Sequence, residues 1–146
     1  VARLTLLLVA AAGPAVAARG NTVAVAWFTA PDQSRVRLAW STDGGRTFGA
    51  PIEVAHGKVV GRVDVVMLDD GRAVVSWLDE GAQGAVIRAQ PFTALGPAAP
   101  AVDIAATQLA RSSGFPQMTR VPGGLLFAWT ASGSTPAVVT ARAPLP

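Results

Sequence analysis

The sequence predicts an all-β fold, a partial β-propeller made of three four-stranded antiparallel blades, and three observations predict it. Trp27, Trp77 and Trp129 each close a short apolar run, NTVAVAW, GRAVVSW and GGLLFAW. These tryptophans stand 50 and 52 residues apart, a period that belongs to propeller blades. Within each run the side chains alternate, with Val23, Val25 and Trp27 on one face, as are Ala73, Val75 and Trp77, and Leu125, Phe127 and Trp129.

The register extends beyond the tryptophans. Thirteen residues before each lie Pro14, Asp64 and Pro116, each opening a strand-like run. After each come VRLAW (36–40), VIRAQ (86–90) and VVTAR (138–142), and PIEVA (51–55) is matched by AVDIA (101–105). The second unit then reads as Val63–Leu68, a turn at DDG, Ala73–Leu78, a loop at DEGAQG, Ala85–Gln90 and Ala101–Ala105. Asp-Gly and Gly-Gly at the first turns supply residues that tolerate positive φ, as hairpins require. The blades fall at about 14–56, 63–105 and 116–146, the last without its fourth strand. Propellers close with roughly four to eight blades, so three imply either further blades, in a six-bladed ring, or self-association that completes one.

Composition sets further bounds. Charged residues make up 14% and the mean hydropathy is +0.41, too apolar for a disordered chain and enough to suggest that some apolar surface is covered by a partner. The net charge is +3, but the arginines are spread singly and Lys58 is the only lysine. Without a basic cluster interleaved with aromatics, no nucleic-acid partner is expected. The absence of Cys excludes disulfides, thiolate catalysis and Cys-ligated metals. The apolar run Leu4–Ala12 followed by AVA (15–17) is signal-like and points to a secreted or periplasmic protein; it is too short to span a bilayer. The competing reading, favoured because the repeat needs Pro14–Ala18, makes residues 1–13 a preceding strand, with the start of the gene product lying upstream of Val1.

Residues 41–48, STDGGRTF, fit Ser-x-Asp-x-Gly-x-Thr-Phe. Ser41, Asp43, Gly45, Thr47 and Phe48 match the Asp box, the bacterial neuraminidase repeat, and the chain resembles sialidase-like β-propeller proteins of the exo-α-sialidase family. GPAVAARGNTVAVAWFTAP, GRVDVVMLDDGRAVVSWLDE and SGFPQMTRVPGGLLFAW look like successive blades of that family, and the chain is expected to be a piece of a longer protein. The resemblance implies a structural turn between the third and fourth strands. A short Asp accepts backbone N–H bonds ahead of it, Gly45 permits a strained backbone, and Phe48 fills space between blades. Only the first unit keeps the box; the second has PFTALGPA in its place. Sialidases use a Tyr nucleophile with a Glu, an Asp acid/base and three carboxylate-gripping arginines. This chain contains no Tyr, so it cannot assemble that set alone.

Strand parity separates two faces. The Asp-box turn and the DDG turn share one; Asp32, His56, Lys58, Arg62, Asp79, Glu80 and Arg111 belong to the other, where the resemblance places a substrate pocket. The pocket-face candidates are Arg62 and Arg111, whose guanidinium forks suit a carboxylate, and Asp64, a carboxylate on an otherwise apolar inner strand. Each has a structural alternative, a solvated link residue for the arginines and a structural hydrogen bond for Asp64. Asp79 and Glu80 are neighbours whose side chains point apart, which reads as surface solvation. No metal or other cofactor is expected, since His56 lacks companion ligands and Asp69–Asp70 lack calcium-loop spacing. The expected ligand is a glycan; the competing function is a non-catalytic propeller that binds carbohydrate or protein, or serves as a scaffold.

Overall fold

A computed structural model describes residues 13–30, 32–110 and 115–146. Among these residues the chain forms strands and no helix, so no helix is long and apolar enough to cross a membrane. The strands are β1 (Ala15–Arg19), β2 (Thr22–Thr29), β3 (Arg35–Ser41), β4 (Ile52–His56), β5 (Val59–Met67), β6 (Ala73–Gly81), β7 (Gly84–Thr93), β8 (Gly96–Pro97), β9 (Val102–Thr107), β10 (Gln117–Val121), β11 (Gly124–Ala131) and β12 (Ala137–Pro144). Residues 1–12, on which most of the signal or strand reading falls, lie outside the described residues.

Three antiparallel sheets result. The first has the order β1-β2-β3-β4 and the third β10-β11-β12. In the second, β5-β6-β7 continues to β9, while the short β8 folds back on the end of β7. That small hairpin occupies the stretch where the first sheet has STDGGRTF.

Alternation along the strands explains how the sheets stack. Ala24, Ala26, Val36 and Leu38 of the first sheet pack against Val65, Val75, Trp77 and Phe92 of the second. The opposite side of the second sheet, with Val74, Leu78, Ile87 and Ala89, packs against Met118, Leu125, Phe127 and Trp129 of the third. In both junctions the tryptophan-bearing side of one sheet presses on the smaller side chains of the sheet before it. Burial of these faces supplies the main driving force, roughly 1.5–3 kcal/mol for each large apolar side chain removed from water. The first strands also lie side by side, β1 and β10 each against β5.

One strand departs from the sequence pattern. The first strand of the second sheet begins at Val59 rather than Val63, because the ladder to β6 shifts register between Val59 and Asp64. Gly61 (φ 99°) and Arg62 (φ 55°) both adopt the left-handed region there. A β-bulge of this kind adds a residue without breaking the strand, and period-two counting cannot foresee it. The positive φ favours glycine at position 61, and a Cβ there would also lie a tight 3.2 Å from the Phe28 ring.

Candidate functional site

Antiparallel connectivity sends the β3–β4 connection to one end of the sheets and the β4–β5 link and β6–β7 turn to the other. The two ends differ chemically.

At the first end the 41–48 turn is built around one carboxylate. Asp43 Oδ1 accepts hydrogen bonds from Ser41 Oγ (2.7 Å) and from the backbone N–H groups of Arg46 and Thr47 (2.9 Å each). Its Oδ2 accepts one from Thr47 Oγ1 at 2.6 Å, and the Gly45 N–H donates to Ser41 Oγ at 2.9 Å. Gly45 sits at φ 85°, with Phe48 near it. The Thr47 hydroxyl, followed by the Thr47 amide and the Ser41 hydroxyl, holds the Asp43 carboxyl well below the usual carboxylate range. A carboxylate so engaged is an acceptor at every physiological pH and cannot donate a proton. A nearby depression of about 310 Å³ is lined by Trp40, Ser41, Thr42, Thr47, Gly49, Ala50 and Ala94, none of them ionisable.

The depressed value fixes a sign. The folded state holds the Asp43 proton more weakly than the unfolded state, so the turn's contribution is fully present above the ordinary carboxyl value. It is lost as pH falls below about 4 through the depressed value. Asp43→Asn is therefore expected to lower the urea midpoint by a constant amount from neutral pH to about 4. Below that the gap should close; a gap already closing near neutrality would mean that the carboxylate is not held in this way.

At the other end an open groove of about 540 Å³ is lined by His56 at the end of β4, Gly57 and Lys58 of the β4–β5 link, Asp79, Glu80 and Gly81 at the end of β6, Ala82 of the β6–β7 turn, and Val86 and Arg88 of β7. The Glu80 N–H donates to the Lys58 carbonyl at 2.8 Å and ties the two segments together. His56 Nδ1 lies 2.7 Å from Glu53 Oε1, which orients the imidazole at the rim.

Asp79 is the organising group. Its side chain is only 16% exposed, its Oδ1 accepts the Trp77 indole N–H at 2.9 Å, and its Oδ2 lies 3.3 Å from Arg88 Nη1. Arg88 Nε in turn donates to Asp103 Oδ1 at 2.8 Å. Burial pushes the Asp79 carboxyl up, while Arg88 and the Trp77 indole oppose the shift. Both oxygens are already engaged, so the carboxylate fixes Arg88 instead of standing ready to transfer a proton. Lys58, His56 and Glu80 remain exposed along the groove, and the set supplies hydrogen-bond donors and acceptors to it.

The other sequence candidates lie elsewhere. Asp64 Oδ1 accepts the Val65 N–H at 2.8 Å and Oδ2 the Met118 N–H at 2.7 Å, joining β5 to β10. Arg62 sits on the bulge, its Nη2 donating to the Ala110 carbonyl at 3.2 Å and its guanidinium 5.3 Å from the centre of the Phe115 ring. Partial burial lowers the Arg62 pKa. Arg111 lies outside the described residues. Neither Arg62 nor Asp64 lines the groove. Reading Asp79 as solvated surface missed its pairing with the Trp77 indole and Arg88, and Arg88 was missed because VIRAQ reads only as strand. Among the described residues no group of three or more potential ligands could hold a metal ion.

No protein-family model and no curated protein matches the chain in sequence. Among solved structures, a xylan β-1,4-xylosidase from Bacillus halodurans C-125 superposes with a TM-score of 0.63 at 14% identity, over 89% of this chain. A protein of unknown function from Dyadobacter fermentans DSM 18053 superposes with a TM-score of 0.61 at 20% identity, over 83% of this chain. At these identities the likeness is one of fold. The chain spans 27% and 34% of the two proteins' lengths, and neither is described as a sialidase.

Proposed function

We propose that this chain forms three blades of a sialidase-like propeller directed at glycans, with its contribution being to bind carbohydrate and not to break the glycosidic bond. The observation that carries the reading is the 41–48 turn, whose Asp43 takes four hydrogen bonds in the manner expected of an Asp box. The polar groove at the opposite end gives a glycan a place to bind, through hydroxyl contacts to Lys58, His56, Glu80 and Arg88. The likeness in fold to a xylosidase is compatible with a glycan ligand and does not select a sugar.

A non-catalytic role is favoured by two facts. The chain has no Tyr to act as a sialidase nucleophile, and the one half-buried acid of the groove has both oxygens occupied. The remaining blades, or a second set in self-association, would close the ring and complete any catalytic set. Calorimetric titration with sialylated and xylan-derived oligosaccharides tests the reading, alongside a fluorogenic sialoside assay. Saturable binding without release of the fluorophore is the expected result; no binding to any glycan would overturn it.

A further inference from the structure

We infer that the groove takes glycans built of neutral sugars and disfavours those that carry a carboxylate, because its cations stand beside acids that answer them. The inference rests on the groove being the glycan site, and it names the class of sugar that site selects.

The charged residues of the groove form two sets. In the first, Arg88 is held between two acids, its Nε donating to Asp103 Oδ1 at 2.8 Å and its Nη1 lying 3.3 Å from Asp79 Oδ2. One guanidinium answers two carboxylates, so this set is negative. Burial pushes the Asp79 carboxyl up, and Asp103 adds to that push against the pull of Arg88 and the Trp77 indole. A ligand carboxylate would be the third acid on this arginine. His56 at the rim is likewise committed, with Nδ1 2.7 Å from Glu53 Oε1.

The second set is Lys58 and Glu80. Among the described residues neither forms an ion pair, and the Glu80 N–H donates to the Lys58 carbonyl at 2.8 Å, which keeps the two residues next to one another. An ammonium group only donates hydrogen bonds and a carboxylate only accepts them. A sugar hydroxyl does both, and so can serve both residues at once. A ligand carboxylate would suit Lys58 but meet Glu80 as a like charge, and a ligand ammonium would suit Glu80 but meet Lys58. The chain carries a net charge of +3, yet the groove does not share it, since Lys58 and Arg88 line it together with Asp79 and Glu80 while Asp103 stands behind Arg88.

Calorimetric titration with an acidic oligosaccharide and with its carboxamide, a ligand of the same size without the charge, tests this. Glucuronosyl-xylotriose and sialyllactose provide the two acid forms. Each carboxamide is expected to bind about fivefold more tightly than its acid at low ionic strength. The gap should narrow as salt rises towards about 1 M, where charges are screened within about 3 Å. Glu80→Gln removes the repelling charge and keeps an acceptor oxygen, so it should bring the two affinities to within about twofold, while Lys58→Gln should widen the gap. Each readout is a ratio within one protein, which partial unfolding does not imitate. Equal affinities in the parent, tighter binding of the acid forms, or a ratio unmoved by Glu80→Gln would overturn the selectivity and leave the glycan reading standing. Binding of neither form of either oligosaccharide would overturn the glycan reading, and this inference with it.

Discussion

Trp77→Ala is expected to remove about 3–5 kcal/mol of stability, the cost of deleting a buried aromatic side chain from a packed core. Trp77 is 3% exposed in the cluster that joins the first two sheets, among Ala24, Val36, Leu38, Val65 and Phe92. The loss also strips Asp79 of its indole donor, leaving a half-buried carboxylate with Arg88 alone. Trp77→Phe separates the two effects. It keeps most of the apolar contact and should cost about 1–3 kcal/mol, the range for leaving a buried polar group short of a partner. Urea denaturation followed by tryptophan fluorescence and by far-UV dichroism measures both. An alanine variant within about 1 kcal/mol of the parent would mean that the sheet-to-sheet packing is not the source of stability.

Asp64→Ala is expected to cost about 1.5–3 kcal/mol, the range for hydrogen bonds to a charged group. The carboxylate bridges sheets by accepting the Met118 N–H, and without it that amide, on the strand beside β5, loses its partner. Hydrogen exchange at Met118 should accelerate in the variant while glycan affinity stays unchanged, because Asp64 does not line the groove. Loss of glycan binding with unaltered stability would instead place Asp64 in the site.

These outcomes bear on what the sequence could reveal. Periodic tryptophans and alternating apolar residues reveal three sheets because burial of one strand face is a local, repeating demand. The 41–48 turn is legible for the same reason, as every partner of Asp43 lies within four residues of it. The bulge at Gly61 and Arg62 is not legible, since an inserted residue that shifts the ladder leaves no mark in a period-two pattern. Parity correctly sends Asp79 and Glu80 to opposite sides of β6. It says nothing of what meets each side, and Asp79 is held by the Trp77 indole and Arg88 while Glu80 faces solvent. Arg88 carries a weak signal, its place opposite Trp77 matching that of Arg37 opposite Trp27.

Amide chemical shifts of the isotopically labelled chain, recorded while a sialylated and then a xylan-derived oligosaccharide is added, test most directly that the glycan site lies opposite the Asp43 turn. Asp79→Asn serves as the groove variant. The raised carboxyl pKa means that ionised Asp79 costs stability once pH rises above the ordinary carboxylate range, so removing its charge should not lower the melting temperature at neutral pH. The account predicts saturable shifts at His56, Lys58, Glu80 and Arg88, none at residues 41–48, and weaker binding in Asp79→Asn. Shifts centred on residues 41–48, or binding unaffected by Asp79→Asn, would contradict it.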